Sequence, residues 1–430
     1  MKNFFGLAYK KNLIVFVIGL LTYIQIQVLG TFGIAELIAL VAFPFIKPFK
    51  QIKHLRVKKL IIYLAFGIFG LIISNIYNET SFENSLKGVF FLVMFLIDLV
   101  FAYWMLKDNY RRILYFIAGV ALSNILAFLF FPTSTLKSMI EISSGNIDEL
   151  MSVWLVYFIQ PTAIFIATIL YYKGKRFASI FLIMIFAFYA LFNSSRNIFL
   201  IWTIAAIILF IIGNVTFKNR QQKFAKIKKT LPIITIVLLI SMIGITTVYE
   251  NLAANGSLGE NSKNKYLKQK YDSGDLGLLS GRIEFIIGLK AIYENPIFGY
   301  GSYPSDKTAL RERTYNEYNV NINEGYDFNN EDRLSGHSHI LNSHIYGGFL
   351  GIFFWIYAIS VVIIFIIKHS FSDPKMIGFF TLMSLSWIWD FFFSPFAFRL
   401  QEAALLITII LAIKSSENIK KLNKIKIAKY

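Results

Sequence analysis

The chain is built from long apolar runs separated by short polar connections. A helix needs about 20 predominantly apolar residues to cross the hydrocarbon core of a membrane. The runs are continuously apolar instead of alternating at every second residue, which favours helices over a closed barrel. We therefore expect an all-α integral membrane protein with about 12 transmembrane helices. The expected spans are 12–30, 32–46, 60–76, 88–106, 113–131, 153–172, 177–192, 197–217, 231–249, 343–367, 376–393 and 395–413.

One stretch, residues 250–342, has the polar composition of a soluble segment. The pattern thus predicts transmembrane helices one to nine in 1–249, a large extracytoplasmic loop at 250–342, and helices ten to twelve with a basic cytoplasmic tail in 343–430. Within the loop we expect a short amphipathic helix at 282–294, ended by Asn295-Pro296 and followed by a turn at Gly299 and Gly301. Loops of this length are often functional, so we expect the chemistry there.

The composition agrees with a membrane location, and the charge adds an orientation. Hydrophobic residues make up 56% of the chain and charged residues 16%, with a mean hydropathy of +0.58. The net charge of +18 comes from short Lys and Arg clusters between apolar runs, which is typical of orientation signals and not of a nucleic-acid surface. The distribution predicts that both termini are cytoplasmic and that 250–342 is periplasmic or extracellular.

Histidine is scarce, and three of the five histidines are close together in sequence. His337, His339 and His344 fall where the tenth span begins. An imidazole there could act as a general base, since it titrates near neutral pH. Three histidines could also ligate a metal ion, or pack at the membrane interface. His337 and His344 would share a helical face if the helix extended back to residue 337.

Two arginines stand out on the predicted outer side, whose short connections hold few cations. Arg196 follows Ser194-Ser195 between spans seven and eight. Its guanidinium could contact phosphate oxygens or close the helical turn with a hydrogen bond. Arg282 starts the loop helix, where free N–H groups favour an anion. Alternatively, it is an exposed cation paired with Glu284 or another acid.

Three other arginines of the loop are weaker candidates, and several common catalytic motifs are missing from the sequence. Arg311, Arg313 and Arg333 could contact a charged substrate, or could belong to a solvated surface. The sequence contains no Asp-x-Asp pair, which often holds the divalent metal of a nucleotide sugar. It also lacks a Walker loop, a dinucleotide fingerprint and a Gly-x-Ser-x-Gly elbow. Hydrolysis of ATP and serine hydrolysis are therefore disfavoured.

Three segments, taken in order, resemble the O-antigen polymerase and ligase family (Wzy and WaaL type). The first is Ser195-Arg196. The second is Ser280-Gly281-Arg282 continuing to Asn295-Pro296-Ile297-Phe298-Gly299-Tyr300-Gly301. The third is His337-Ser338, then nine residues, then Gly348-Phe349-Leu350-Gly351. The resemblance is local to about 190–355. His339 is additional to the family pattern and is a second candidate for the base.

The resemblance implies a GT-C-like glycosyltransferase of the bacterial inner membrane that needs no cofactor or metal. It would act on undecaprenyl-pyrophosphate-linked oligosaccharide, with His337 as base and Arg196 and Arg282 on the pyrophosphate. The residue chemistry agrees, because arginines can neutralise a departing pyrophosphate and histidine can accept the acceptor's proton. Possible secondary residues are His339, His344, Arg311, Arg313 and Arg333.

The expected function is that of a polymerase of a cell-surface polysaccharide: O-antigen, capsule or exopolysaccharide. It would transfer a lipid-linked glycan onto another lipid-linked repeat unit with inversion. The alternative within the family is an O-antigen ligase that transfers the glycan to lipid A core. A flippase or transporter of lipid-linked oligosaccharide is the alternative from another class. Expected partners are membrane lipid and, in the same pathway, a chain-length regulator and a flippase.

Overall fold

The computed structural model describes most of the chain. The described residues are 2–27, 31–48, 55–107, 110–130, 159–192, 195–213, 250–257, 283–319, 333–369 and 377–393, with short stretches at 247–248, 259–260, 263–264 and 266–267 and residues 407 and 410. The spans predicted at 231–249 and 395–413 lie almost entirely outside these residues.

The described part of the chain is mostly helical. Its elements are α1 (Lys2–Leu20), β1 (Gln25–Gln27), β2 (Thr31–Gly33), α2 (Ile34–Ala42), α3 (Leu55–Tyr77), α4 (Phe82–Leu106), α5 (Tyr110–Phe130), α6 (Gln160–Tyr172), α7 (Arg176–Phe192), α8 (Arg196–Gly213), α9 (Ile283–Glu294), α10 (Leu310–Glu317), α11 (His339–Gly351), α12 (Phe353–His369) and α13 (Ile377–Phe393).

Several of these helices have the character of membrane spans. Among the described residues, Lys58–Tyr77 and Phe82–Leu106 are long and apolar enough to cross a membrane, and α11 with the first part of α12 makes a third if that bent pair is one span. Shorter apolar helices lie at Arg112–Ala127, Arg176–Phe192, Asn197–Phe210 and Phe380–Phe393. This is compatible with the expected all-α membrane protein, whereas the number of 12 spans stays a prediction.

The first apolar run differs from the span predicted at 12–30. Helix α1 ends at Leu20, and a small antiparallel hairpin follows, in which Gln25 is opposite Gly33 and Gln27 is opposite Thr31. The physical reason is the alternation Gln25-Ile26-Gln27, which has the period of a strand. The Glu36 carboxylate then accepts a hydrogen bond of 2.7 Å from the Gly33 N–H at the start of α2.

The chain divides into two compact units. The first unit contains 1–131, 281–363 and 387–430, and the second contains 132–280 and 364–386. In the second unit α6, α7 and α8 follow each other as packed neighbours. The Ser179 hydroxyl donates to the Ala167 carbonyl at 2.8 Å, and the rings of Phe186 and Trp202 meet edge-on at 5.9 Å.

Helices of the first unit approach closely where glycines remove the side chain. A β-carbon built on Gly119 of α5 would lie 2.2 Å from the Phe16 carbonyl of α1. One built on Gly70 of α3 would lie 2.7 Å from the Gly347 carbonyl of α11. Such small-residue contacts are typical of helix packing in membranes, where close backbone approach supplies van der Waals contact.

The predicted single span at 343–367 is wrong in one respect, because the helix is broken. Gly348 has φ 60° and ψ −154°, and the axes of α11 and α12 differ by 112°. That backbone conformation is open almost only to glycine. The apolar composition predicts a span but carries no information about this bend.

Candidate active site

The break in α11 is filled by backbone from the polar loop. The Phe349 N–H donates to the Ile297 carbonyl at 3.0 Å, and the Tyr300 N–H donates to the Ile345 carbonyl at 2.6 Å. A β-carbon on Gly299 would lie 2.6 Å from that same Ile345 carbonyl. Polar groups that an unbroken helix would pair internally are thus paired with residues 297–300, as buried backbone requires. We call residues 295–301 the docked turn.

Three asparagine side chains hold the docked turn in place. The Asn295 amide donates to the Gly299 carbonyl, which also accepts from the Asn78 amide at 3.1 Å. The Asn75 side-chain oxygen accepts at 2.7 Å from the N–H of Ser302, the residue directly after the docked turn. Asn75 is in the last turn of α3 and Asn78 directly follows that helix. The docked turn therefore lies against the connection between α3 and α4.

His337 lies just before α11 and is exposed. Ser338 is the N-cap residue, whose side chain accepts from the Leu341 N–H, so the helix does not extend back to residue 337. The condition under which His337 and His344 would share a helical face is therefore not met. His337 has a left-handed φ of 42°, which is costly for a residue with a side chain and is concentrated at functional sites.

The residues on either side of His337 are fixed from two directions. The Ser338 hydroxyl donates to the Phe391 carbonyl at 2.9 Å. The Asn342 side-chain oxygen accepts from the Gly336 N–H at 2.7 Å, and Gly336 packs against Gly288 of α9. These contacts hold the backbone that carries the exposed imidazole. Sequence reasoning missed Asn342, although it lies one turn inside the helix that starts beside the candidate base.

The other two histidines of the group are buried. His339 is fully buried and its ring meets Trp355 edge-on at 5.1 Å. His344 is 6% exposed and lies beside the backbone of Pro296. Among the described residues no three His, Asp or Glu side chains form a group that could hold a metal ion. Of the three histidines, His337 alone is exposed.

The two arginines expected on pyrophosphate are not described in atomic detail. Arg196 begins α8 in the second unit, and its side chain is outside the described atoms. Arg282 lies outside the described residues, directly before α9. The helix expected at 282–294 is observed as Ile283–Glu294. Its Glu284 pairs with Arg311.

The three secondary arginines have different surroundings. Arg311 is buried and reaches Glu284 at 2.9 Å and the Arg333 carbonyl at 3.2 Å. Arg313 is about half exposed and lies 2.8 Å from Glu294. Arg333 is exposed, with its guanidinium 5.4 Å from the centre of the Tyr303 ring. Arg311 thus contributes to the fold of the loop, whereas Arg313 and Arg333 present charge at its surface.

Replacing Arg311 by glutamine should lower the free energy of unfolding by about 3–5 kcal/mol, because it leaves the largely buried Glu284 carboxylate without its cation. The matched control is Arg313→Gln. Its ion pair is exposed, so we expect a loss of at most about 1 kcal/mol. Thermal unfolding of both variants in the same detergent measures the difference. Equal losses would contradict the structural role assigned to Arg311.

The docked turn also contains a half-buried tyrosine, Tyr300, beside Glu294. Burial, and secondly the negative charge of Glu294, raise the pKa of Tyr300 to about 12. Its hydroxyl donates to the Ala291 carbonyl at 3.2 Å. Tyr300 is therefore neutral at physiological pH and ties the docked turn to the last turn of α9.

An apolar cleft opens beside α11. The cleft is small, with a cavity volume of about 30 Å³. Helix α3 contributes Leu64, Gly67 and Leu71, and α11 contributes Ser343 and Tyr346. Tyr303, which follows the docked turn, also lines it, and its ring lies 5.9 Å from that of Tyr346. Four of its lining residues are glycines, Gly67, Gly88, Gly347 and Gly351, an arrangement that hydrophobicity along the sequence does not reveal.

Comparison with known proteins gives no match: no family model fits the sequence, and no curated protein or solved structure is significantly similar to the chain.

Proposed function

We propose that the chain is a membrane glycosyltransferase of the O-antigen polymerase and ligase type, and that it acts as a polymerase of a cell-surface polysaccharide. The observation that supports this most is the packing of the docked turn on α11. It joins two sequence segments on which the resemblance rests, 295–301 and 337–351, through backbone hydrogen bonds. His337 is exposed at the beginning of that assembly.

In the proposed reaction His337 is the general base. It takes the proton of the acceptor hydroxyl while that oxygen forms a bond to C1 of the donor sugar. The bond from C1 to the pyrophosphate oxygen breaks, and the leaving group keeps the electron pair. Attack from the face opposite the leaving group inverts the configuration at C1. Arg196 and Arg282 would neutralise the charge that develops on the pyrophosphate.

The donor already carries its leaving group, so the reaction needs neither ATP nor a nucleotide sugar. This agrees with the absence from the sequence of a Walker loop and of an Asp-x-Asp pair. The location that goes with the proposal is the bacterial inner membrane, with both termini cytoplasmic and the loop 250–342 periplasmic or extracellular. A GT-C-like arrangement of about 12 spans belongs to the same proposal.

The direct test is transfer by the purified protein. The protein in liposomes is incubated with labelled undecaprenyl-pyrophosphate repeat units without added metal, and the products are separated by gel. We expect a ladder of multiples of the repeat unit. Transfer only after addition of lipid A core would instead identify a ligase. No product with either acceptor would reject the transferase and leave the flippase or transporter.

A further inference from the structure

Helix α9 directs its charged side chains toward neighbouring protein. Glu284 pairs with Arg311, Lys290 with Glu317, and Glu294 with Arg313. All three partners belong to α10. These pairs account for every charged residue between Ile283 and Glu294.

The opposite side of α9 is apolar and uncovered. On this side, Leu289 is 47% exposed and Tyr293 is 88% exposed. Ile283, Ile287 and Ala291 belong to the buried side of the helix. Leu289 and Tyr293 are four residues apart and so lie on one helical face. A helix in contact with water would normally place its charged residues on the exposed face. Here the exposed face is apolar, as it is in helices that contact lipid.

The exposed apolar surface continues into the docked turn. Ile297 is 66% exposed and Phe298 is 37% exposed. The docked turn is held by several hydrogen bonds, so loose packing does not explain why these apolar side chains are exposed. Exposed apolar patches mark interaction surfaces. We call Leu289, Tyr293, Ile297 and Phe298 the apolar edge.

The apolar edge is fixed at the level where two candidate membrane spans end. The Phe298 ring stacks on Tyr77 at 4.3 Å, and Tyr77 is the last residue of the span in α3. The next span begins at Phe82, which is 81% exposed. Between them, the Asn78 amide holds the Gly299 carbonyl. The boundary between hydrocarbon and headgroups lies at the ends of such spans, where tyrosine is enriched.

We propose that the apolar edge is a membrane-binding surface and that α9 lies in the lipid interface instead of standing in the aqueous loop. Its partner is the headgroup and upper acyl region of the leaflet at the turn between α3 and α4. Insertion removes the exposed surfaces of Leu289 and Ile297 from water, while the tyrosine hydroxyl can stay at the headgroups. The ion pairs with α10 keep the charged flank of α9 turned to protein. The proposal concerns membrane contact and does not depend on the enzymatic activity.

The chain contains no cysteine, so single spin labels can be placed without background. Leu289→Cys and Tyr293→Cys are labelled with a nitroxide in the full-length protein in liposomes, and collision with oxygen and with a water-soluble nickel complex is measured by electron paramagnetic resonance. Oxygen concentrates in the bilayer, so we expect oxygen to dominate at both positions. The control is Glu312→Cys on α10, which is exposed and should show the reverse order.

Two results would overturn the proposal. Dominance of the nickel complex at 289 and 293, as at 312, would mean that the edge faces water. Low collision rates with both reagents would mean that the edge is covered by protein, either a partner or a second copy. Thermal unfolding of each labelled variant checks that it is folded. Ile297→Cys replaces any variant that is not, with the same expected order of collision rates.

Discussion

Replacing His337 by glycine should abolish glycan transfer without destabilising the protein. The imidazole is the proposed base, and removal of a general base costs about 10²–10⁴ in rate. The backbone effect has the opposite direction. His337 has φ 42°, a conformation that costs a residue with a side chain roughly 1–2 kcal/mol and glycine little. Glycine also increases the entropy of the unfolded chain. The free energy of unfolding should therefore stay within about 1 kcal/mol of the parent value.

The comparison variant is His337→Val, which also lacks the imidazole. A β-branched residue strongly disfavours the left-handed conformation, so we expect this variant to lose stability as well as activity. Gel analysis of lipid-linked products and thermal unfolding in detergent are measured on both variants. Full transfer by the glycine variant would reject His337 as the base. Inactivity together with a large loss of stability in the glycine variant would show that the imidazole has a structural role instead.

The helical character of the chain could be predicted from its apolar runs, because burial of backbone polar groups in lipid permits few alternatives. The residues at which individual helices end were less predictable. Residues 12–30 form one apolar run by composition, yet α1 ends at Leu20, because a strand period interrupts the run near Gln25. There the alternation of polar and apolar residues determines the local structure more than the average hydropathy of the run does.

Within the candidate site, the sequence indicated the segments but not their contacts. The docked turn was expected from Asn295-Pro296 and its two glycines, and α9 was expected from the apolar pattern before it. That the turn fills a break in α11 could not be foreseen, because it depends on the conformation of Gly348 and on the approach of residues distant in sequence. In sequence, the resemblance favours His337 as the base and leaves His339 as a second candidate. Burial, which is a property of tertiary packing, distinguishes His337 from His339 and His344.

The conformation of Gly348 also explains why two of the sequence segments fit together. Its backbone turns the chain sharply, so that the Phe349 N–H donates to the Ile297 carbonyl of the docked turn. A second glycine, Gly299, allows the approach from the other side, because its own β-carbon would meet α11. The contact between the docked turn and α11 thus requires a glycine in each segment, Gly299 in one and Gly348 in the other.

Replacing Gly348 by alanine should therefore be among the most damaging single changes in the first unit. The new β-carbon would lie 2.1 Å from the Ile297 carbonyl, and the backbone conformation is costly for alanine by about 1–3 kcal/mol. Relief of the clash separates the docked turn from α11 and breaks its two backbone hydrogen bonds, each contributing about 1 kcal/mol. We expect a total loss of about 3–5 kcal/mol.

The matched control is Gly174→Ala in the turn between α6 and α7. Gly174 has φ 81°, and a β-carbon there meets nothing within 4 Å. The control therefore carries the backbone cost alone, about 1–2 kcal/mol, and should retain transfer. Thermal unfolding measures the losses, and limited proteolysis tests whether the docked turn has become accessible in the Gly348 variant. Similar losses in the two variants, with the turn still protected, would mean that backbone strain is the whole effect. The fit of residues 295–301 into the helix break would then contribute little to stability, and the link between the two segments that supports the proposed function would be weakened with it.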